Sequence, residues 1–500
     1  MIVTSKFNLK YSSTYFGGIF LMSEKLKNYR ADTEWNKMAE PYYDGAIDTL
    51  QKYIQTKSYN DPETVTKEHP FGQYVANVFD FDVALGEKMG FKIDRCEGYC
   101  VELSYGDPSL PTIDVYAHSD TVPVSSFWNF DPFKAEIKDD NIYGRGAADD
   151  KGPGLACLYG AKLLLDKGLI KGWRLRFIFG GNEEMGCECL NAYFHKLHKE
   201  YPTYGISPDA NFPLIYAEKA LCDYDASYDV DLGEQSFEWG VAMNLVCDKV
   251  DYDFKNLHFD FEKAKTIADK YLADHPQIKG SWNGTILTIQ GHGYHGSMPW
   301  NGTNAALYMI NIIGKIIGSQ KLHEAYEDYK SGDGTPFHGN YKSKAFDRSS
   351  YCVGMVSYKP GRLTLHINMR LPENVKCETA IRNVKDNTSA DEVKMMSFTP
   401  ALYVNPESSF IKTLMNVYQE ESGDFESKPL AIGGGTYAKE SINTVAFGGE
   451  YPGRDFFMHG DNEWFSIPDF KNLIGMYAHC LYALGNLAVK EAEEKKNESK

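Results

Sequence analysis

The sequence lacks the features that would place it on nucleic acid or in a membrane. It has 52 lysines and arginines against 69 acidic residues, a formal net charge of −17. Binding to a phosphate backbone or to anionic lipid needs clustered positive charge. No stretch of the sequence reaches the roughly 18 consecutive apolar residues of a membrane span. We therefore expect neither a nucleic-acid partner nor a membrane partner.

Cysteine is scarce, with ten in 500 residues, which is too few for a disulfide scaffold. Cys187 and Cys189 form a C-x-C pair, and Cys96 and Cys100 form a C-x₃-C pair. Neither has a second matching pair, so the spacing does not indicate a zinc ribbon. We predict reduced, mostly buried thiols in a cytoplasmic protein.

The amino-terminal segment carries no convincing signal peptide. The apolar run 16–22 is short, contains two glycines and lacks a clear small-residue cleavage site. Met22 is an alternative start, which would make residues 1–21 an upstream extension. We expect residues 1–22 and 490–500 to be flexible tails.

Apolar residues make up 43% of the chain, an ordinary globular composition, and the length suits two or three domains. Residues 23–110 have helical spacing, and beyond them strands at 113–117, 141–143 and 173–179 surround an apolar helix at 155–165. Strand, helix, strand predicts an α/β fold with a mixed, largely parallel sheet flanked by helices. Polar residues follow directly after the strands, where open α/β sheets bind ligands.

From about residue 224 the pattern changes to that of an inserted α+β domain. Short strands are predicted at 239–247, 284–290 and 362–369, with a helix at 305–317 and a long loop at 328–346. The first pattern returns near residue 400, with a helix at 409–420, a strand at 444–447 and a final helix at 468–488. We predict a catalytic domain formed by 23–223 and 400–489, interrupted by a lid domain at 224–399.

Several acids and imidazoles stand at the ends of these predicted strands. His118 and Asp120 share a face of an extended segment, so the acid could hold the imidazole from behind. Asp149 and Asp150 precede a helix, where either could be a cap or a ligand. Glu183 and Glu184 follow a buried strand, where paired acids are costly unless ions compensate. Each of these motifs, taken alone, also suits an ordinary polar loop.

The combination resembles the M20 metallopeptidase family, most closely its PepV-like dipeptidases. The segments that match, in the family's order, are 118–123, 143–153, 181–186, 207–210, 295–299 and 459–463. They span roughly residues 35–488. Chance agreement at six ordered segments is very improbable.

The resemblance implies two divalent ions per chain, zinc first, with manganese or cobalt as alternatives. One ion would be held by His118, Asp149 and Asp209, and the other by Asp149, Glu184 and His459. Asp149 would bridge them. Three carboxylate ligands against two divalent ions leave a charge of +1, which favours a bridging hydroxide as the nucleophile.

The resemblance also assigns residues outside the metal ligands. Glu183 would be the general base, and Asp120 would orient His118. His295 would stabilise the oxyanion, and Arg370 would clamp the substrate carboxylate with its planar fork. Further substrate contacts would come from four lid or turn residues: Asn244, Gly434, Gly435 and Thr436.

The resulting hypothesis is a cytoplasmic, monomeric dipeptidase that cleaves small dipeptides. A long lid would complete the site within one chain. The alternative is an amide deacylase on the same scaffold, acting on N-acyl amino acids or succinyl-diaminopimelate-like substrates. A non-catalytic binding protein is a third possibility, but every expected ligand and the base are present. Ser119 and Thr121 replace residues that are usually apolar in the nearest relatives, which leaves substrate preference open.

Overall fold

A computed structural model describes residues 32–498 of the chain. The apolar run 16–22 and most of the predicted amino-terminal tail lie outside these residues. The chain divides into two compact units. Unit 1 comprises residues up to Tyr216, Val404–Leu430 and the chain from Thr436 onward, and unit 2 comprises Ala217–Tyr403 and Ala431–Gly435.

Unit 1 contains a mixed sheet and the helices that cover it. Its helices are Glu34–Ala39, Tyr43–Gln55, Gln73–Met89, Lys151–Asp166, Glu188–Asn191, Ser409–Ser422 and Ile467–Glu498. Its strands are Lys92–Asp94, Cys100–Tyr105, Thr112–His118, Glu136–Lys138, Asn141–Tyr143, Arg174–Gly180, Tyr204–Ser207, Ala210–Asn211, Thr444–Ala446, Gly449–Glu450 and Trp464–Ser466. The chain passes from unit 1 to unit 2 within the strand Ile215–Glu218, and again from unit 1 to unit 2 within Leu430–Ile432.

The centre of the unit 1 sheet is parallel. Thr112–His118 lies between Arg174–Gly180 and Tyr204–Ser207, parallel to both, and Thr444–Ala446 is parallel to Tyr204–Ser207. On the other side of Arg174–Gly180 lie Cys100–Tyr105 and then Lys92–Asp94, both paired antiparallel. The predicted α/β class with a mixed sheet flanked by helices is confirmed, and the parallel pairings form the centre of the sheet. The parallel strands end at one edge, where the polar segments follow.

Close helix packing in unit 1 depends on a small residue. Gly160 lies in the helix Lys151–Asp166, and a Cβ atom built there would lie 2.7 Å from the backbone nitrogen of Ala478. A side chain at this position would push the helix Ile467–Glu498 away. The helix Lys151–Asp166 is buried along almost its whole length and covers the sheet behind the candidate site.

Unit 2 is built around a five-stranded antiparallel sheet. The order of the sheet is Phe237–Trp239, Ser350–Lys359, Arg362–Leu371, Ala220–Asp229 and Glu392–Thr399. A three-stranded sheet contains Lys249–Asp253, Ile286–Gln290 and Lys279–Asn283, and a short strand is Leu402–Tyr403. The helices of the unit are Phe261–Asp274, Ala305–Ile317, Gln320–Tyr329 and Cys377–Asn387.

Some local predictions were wrong. The helical region assigned to 23–110 ends at Met89 and is followed by two strands. The strand predicted at 239–247 stops at Trp239, because Gly240 has φ +88° and a Cβ there would lie 2.1 Å from the carbonyl oxygen of Gly354. The helix Gln320–Tyr329 reaches into the predicted loop 328–346. The last helix, predicted at 468–488, continues to Glu498.

Candidate metal centre

Three of the parallel strands deliver the polar side chains to one edge of the unit 1 sheet. His118 is the last residue of its strand, Glu183 follows the strand ending at Gly180, and Asp209 follows the strand ending at Ser207. Parallel neighbours end on the same side, so side chains distant in sequence meet there. The edge is the ligand-binding edge expected of an open α/β sheet.

The five side chains predicted as metal ligands lie together in unit 1. His118 Nε2 lies 3.0 Å from Asp149 Oδ1 and 3.7 Å from Asp209 Oδ2. His459 Nε2 lies 2.8 Å from Asp149 Oδ2 and 3.0 Å from Glu184 Oε2. Asp149 thus contacts both imidazoles, one with each oxygen, which is the central position that the resemblance implies for it.

Two groups of donor atoms could each hold a metal ion. The atoms of His118, Asp149 and Glu184 lie within 4.8 Å of one another, and so do those of His118, Glu183 and Asp209. The second group includes Glu183, which the resemblance assigns as the base, where Asp149 was expected as a ligand. Two atoms each about 2.1 Å from one tetrahedral zinc ion lie about 3.4 Å apart. The imidazole–carboxylate distances of 2.8–3.7 Å fit that spacing.

The protonation tendencies of the site reflect a shortage of positive charge. Burial and repulsion from Asp149 raise the pKa of Asp209 to about 7. Burial also raises the pKa of Glu183 well above its usual range. Hydrogen bonds with Asp149 and Glu184 raise the pKa of His459 to about 11. Carboxylates outnumber the imidazoles at this site, so bound cations would offset the repulsion among the buried acids.

His118 is held in the tautomer that a metal ligand needs. Its Nδ1 lies 3.1 Å from the backbone carbonyl oxygen of Asp120. A carbonyl oxygen can only accept, so Nδ1 carries the proton, and in the neutral ring Nε2 has a free lone pair. The ring is fully buried. Nε2 points to the carboxylates of Asp149 and Asp209.

Asp120 has a wider role than the orientation of His118. Its carboxylate lies 3.5 Å from His118 Nδ1, farther than its own carbonyl oxygen. The two carboxylate oxygens accept from the backbone N–H groups of Glu183 and Glu184, at 3.1 and 3.2 Å. Asp120 therefore fixes the turn that presents both glutamates.

Sequence reasoning missed a buried ion pair that joins two of the ligand loops. Arg145 Nη1 donates to Glu463 Oε2 at 2.6 Å, and both side chains are almost fully buried. The Glu463 carboxylate also accepts from the backbone N–H groups of Gly146 and Ala148, which holds the loop before Asp149. Arg145 Nη2 donates to the carbonyl oxygen of Gly460, next to His459. Both residues stood in matched segments, where they could have been recognised.

A second polar network lies behind His118. Ser119 Oγ donates to Asp82 at 2.7 Å and is also 2.8 Å from the hydroxyl of Tyr53. An apolar side chain at 119 would leave the buried Asp82 carboxylate without this donor.

The predicted substrate-binding residues fall mainly in unit 2. Arg370 Nη1 donates to the carbonyl oxygen of Gly433 at 2.7 Å, which places the guanidinium beside the turn that contains Gly434 and Gly435. The carbonyl oxygen of Asn244 accepts from Gly296 N at 2.7 Å, next to His295. Burial and the charge of Arg370 lower the pKa of His295 to about 4. Thr436 lies in unit 1, directly before the short helix Tyr437–Glu440.

The central strands of the sheet are parallel, and a cluster of imidazoles and carboxylates lies at their carboxyl ends. This arrangement makes the protein a candidate metal-dependent hydrolase. The family model for peptidase family M20/M25/M40 matches residues 115–483, well over half of the chain. The chain belongs to this family, as predicted, and is a hydrolase of the peptidase class.

Two curated relatives match over almost their whole length. "Putative dipeptidase YtjP" of Bacillus subtilis is 30% identical over 457 residues, which cover 88% of this chain and 96% of the relative. "Putative dipeptidase SH1171" of Staphylococcus haemolyticus is 29% identical over 485 residues, which cover 90% and 99%.

Solved structures share the fold at low identity. A metallo-carboxypeptidase of the M20 family from Sulfolobus solfataricus matches with a TM-score of 0.53 and 16% identity, covering 88% of this chain and 99% of that one. Aminoacylhistidine dipeptidase from Vibrio alginolyticus matches with a TM-score of 0.52 and 12% identity, covering 88% and 96%. Within residues 32–498, no helix has the length and apolar character needed to cross a bilayer.

Proposed function

We propose that this protein is a metal-dependent dipeptidase that hydrolyses small dipeptides. The observation that carries the proposal is the convergence of His118, Asp149, Glu184, Asp209 and His459 at one sheet edge. Curated relatives that match over nearly their full length are named putative dipeptidases, which supports this substrate class.

The five clustered side chains would hold two divalent cations, and zinc is the first choice. Zinc binds imidazole nitrogen and carboxylate oxygen in proteins. Manganese and cobalt also bind these donors and are the alternatives. When bound, the cations would polarise the scissile carbonyl and lower the pKa of a water. Asp149, which contacts both imidazoles, would be shared between the two cations.

Glu183 would act as the proton carrier. Its backbone is fixed by Asp120, and its side chain lies within the donor group of His118 and Asp209. A buried carboxyl with a raised pKa can take a proton from a nucleophilic water and return it to the leaving amine. The adjacent Glu184 contacts His459 instead, which separates the roles of the two glutamates.

In unit 2, Arg370 would bind the carboxylate of the dipeptide and His295 would stabilise the oxyanion. Arg370 is only 4% exposed, so an anion that reaches it interacts in a poorly screened environment. The low pKa of His295 keeps its ring neutral near pH 7, so that one nitrogen donates and the other accepts. Asn244, Gly434, Gly435 and Thr436 would add substrate contacts. We propose that unit 2 is the lid domain, and we expect a cytoplasmic monomer.

A substrate panel tests the proposal. Purified full-length protein is supplied with zinc, manganese or cobalt and assayed on dipeptides, N-acyl amino acids and succinyl-diaminopimelate. We expect hydrolysis of dipeptides and about two bound cations per chain by elemental analysis. Activity on acylated substrates alone would overturn the dipeptidase assignment in favour of a deacylase. A chain that binds no divalent cation would instead be a binding protein on this fold.

A further inference from the structure

One face of the unit 2 sheet carries a ladder of hydrogen-bonded polar side chains. The strands Ala220–Asp229 and Arg362–Leu371 pair antiparallel, with Asp223 opposite Asn368 and Asp225 opposite His366. Alternate residues of a strand share a face, so these side chains line up along the sheet. Asn368 Nδ2 donates to Asp223 Oδ1 at 2.7 Å, and His366 Nδ1 lies 2.7 Å from Asp225 Oδ1.

The rung formed by Asp223 and Asn368 continues to Arg370. Arg370 Nε donates to Asn368 Oδ1 at 2.9 Å. The other oxygen of Asp223 accepts from Ser397 Oγ at 2.9 Å, which holds the carboxylate from the edge strand. A chain of contacts therefore runs from Ser397 through Asp223 and Asn368 to the guanidinium.

The chemistry of this chain fixes its direction. A carboxylate only accepts and a guanidinium only donates. The amide of Asn368 must therefore turn its NH₂ group to Asp223 and its oxygen to Arg370. Arg370 and Asn368 are almost fully buried, at 4% and 6% exposure, so neither hydrogen bond is readily replaced by water.

Both hydrogen bonds of Arg370 go to neutral acceptors, namely Asn368 Oδ1 and the carbonyl oxygen of Gly433. The negative charge of Asp223 stands one residue behind. The Asp223 carboxylate acts on the guanidinium through Asn368, so the positive charge of Arg370 stays available for an incoming anion. A direct carboxylate partner would compete with that anion.

We propose that Asp223, acting through Asn368, is a positioning residue for Arg370 and sets its affinity for a substrate carboxylate. The inference rests on the proposed function, in which Arg370 binds the carboxylate of the dipeptide. Removal of the Asp223 charge frees the Asn368 amide to flip, so that its NH₂ group would face the guanidinium and displace it.

The test compares Asp223→Asn with the matched variant Asp225→Asn, which breaks the next rung on the same face. Both are made in the metal-loaded Glu183→Gln background, so that binding is measured without turnover. Calorimetry gives the Kd of a dipeptide and of the same dipeptide with an amidated C-terminus. We expect Asp223→Asn to weaken dipeptide binding about tenfold and to leave the amide unchanged. Asp225→Asn should change neither.

A selective loss for the free carboxylate separates positioning from general damage. Equal weakening of both ligands by Asp223→Asn, or equal effects of the two variants, would overturn the inference. Ser397→Ala, which removes only a donor to Asp223, should give a smaller loss in the same direction. Ser397→Ala replaces Asp223→Asn in the test if Asp223→Asn unfolds at a much lower temperature than the parent.

Arg370→Gln distinguishes the failure of the relay from the failure of the proposed function. If Arg370→Gln binds the dipeptide and its amide as the parent does, Arg370 is not a carboxylate clamp, and both proposals fall. If Arg370→Gln no longer distinguishes the dipeptide from its amide while Asp223→Asn still does, only the positioning role of Asp223 is wrong.

A separate observation concerns two thiols in the core of unit 2. Cys222 Sγ and Cys377 Sγ lie 2.8 Å apart, and both residues are almost fully buried. Cys222 is in the strand Ala220–Asp229, and Cys377 is the first residue of the helix Cys377–Asn387. The hydrogen bond between Cys377 and Cys222 lowers the pKa of Cys377. One thiol is thus the better nucleophile and the other stands beside it.

The geometry points to a reversible disulfide between Cys222 and Cys377, formed by hydrogen peroxide. The Cys377 thiolate attacks the peroxide O–O bond, which yields a sulfenic acid and, after protonation, water. The Cys222 thiol then attacks the sulfenic sulfur, the S–O bond breaks, and a second water leaves as the S–S bond forms. Two thiols are oxidised and one peroxide is reduced. Met395 is 45% exposed and its Sδ lies 3.6 Å from Cys377 Sγ, so the approach to the thiol pair that we propose runs past this side chain.

Mass spectrometry of the full chain tests this site. The protein is treated with hydrogen peroxide, alkylated and digested, with Cys352, buried in the same unit, as the matched control. We expect a linked peptide that contains Cys222 and Cys377, lost with dithiothreitol and absent in Cys377→Ser, while Cys352 stays alkylated. No linked peptide at a peroxide concentration that oxidises the partly exposed Cys187 would overturn the assignment.

Discussion

The two units of this protein treat buried charge in opposite ways. Unit 1 gathers Asp149, Glu183, Glu184 and Asp209 around two imidazoles, and burial raises the pKa of Glu183 and of Asp209. Unit 2 buries Arg370 against neutral acceptors, and its nearby imidazole stays uncharged. The difference accords with our proposal that unit 1 binds cations and unit 2 binds an anion.

The largest effect is expected at the proton carrier of unit 1. Glu183→Gln keeps the side-chain volume but removes the base, so turnover should fall about 10³-fold. Cation content, measured by elemental analysis, should stay near that of the parent. The exposed Glu188, on the next helix, provides the control, since Glu188→Gln should keep full activity. Parent-like turnover by Glu183→Gln would remove Glu183 from the mechanism.

The next effect concerns stability and compares one buried pair from each unit. Glu463→Gln leaves Arg145 buried without its counter-charge and should lower the free energy of unfolding by about 3 kcal/mol. Asp225→Asn in unit 2 affects a partly buried contact with His366 and should cost about 1 kcal/mol. Urea unfolding of both variants measures the difference. Equal losses of unfolding free energy would show that the Arg145–Glu463 pair contributes no more to stability than the Asp225–His366 contact.

Cation removal should distinguish the units directly. A cation at 100 times its Kd stabilises the state that binds it by about 2.7 kcal/mol. Chelation should therefore reduce the hydrogen-exchange protection of the strand Thr112–His118 in unit 1. The strand Arg362–Leu371 in unit 2 should be unaffected. A comparable loss in both strands would contradict the assignment of the cations to unit 1.

The smallest effect is the titration of His295. Its pKa of about 4 in the folded state lies below the usual 6.5, because burial and Arg370 disfavour the charged ring. The unfolded chain binds the proton first as pH falls, so this group destabilises the fold progressively from pH 6.5 to about 4 and contributes nothing above that window. NMR titration should show the pKa rising towards 6.5 in Arg370→Gln. An unchanged pKa would mean that Arg370 does not act on the ring.

Much of the fold could be read from the pattern of residues. The alternation at 113–117, the apolar helix after Asp150 and the helix Ala305–Ile317 are local signals, and the structure has each element. The strand predicted at 239–247 was wrong because Gly240 adopts a positive φ against Gly354, a contact made by a segment far along the chain. Local patterns cannot report such contacts.

The candidate site shows the same division. The matched segments made five metal ligands recognisable, namely His118, Asp149, Glu184, Asp209 and His459. The distances between them in space could not be predicted from the sequence. Asp120 was expected to orient His118, and its carboxylate, 3.5 Å from His118 Nδ1, also accepts from the backbone of Glu183 and Glu184, which the sequence did not indicate. Asp223 and Asn368 gave no motif signal, although Asn368 stands two residues before Arg370 and so shares its face.

The sequence by itself determined the family, the alternation of strands and helices, and the residue types that can hold cations, because these depend on local pattern and on chemistry. Only the tertiary structure decided that Arg145 and Glu463 join two ligand loops, and that Asp223 reaches Arg370 through one amide. Those contacts depend on which strands become neighbours and in what register, and the energy that selects the register is spread over the whole packed core.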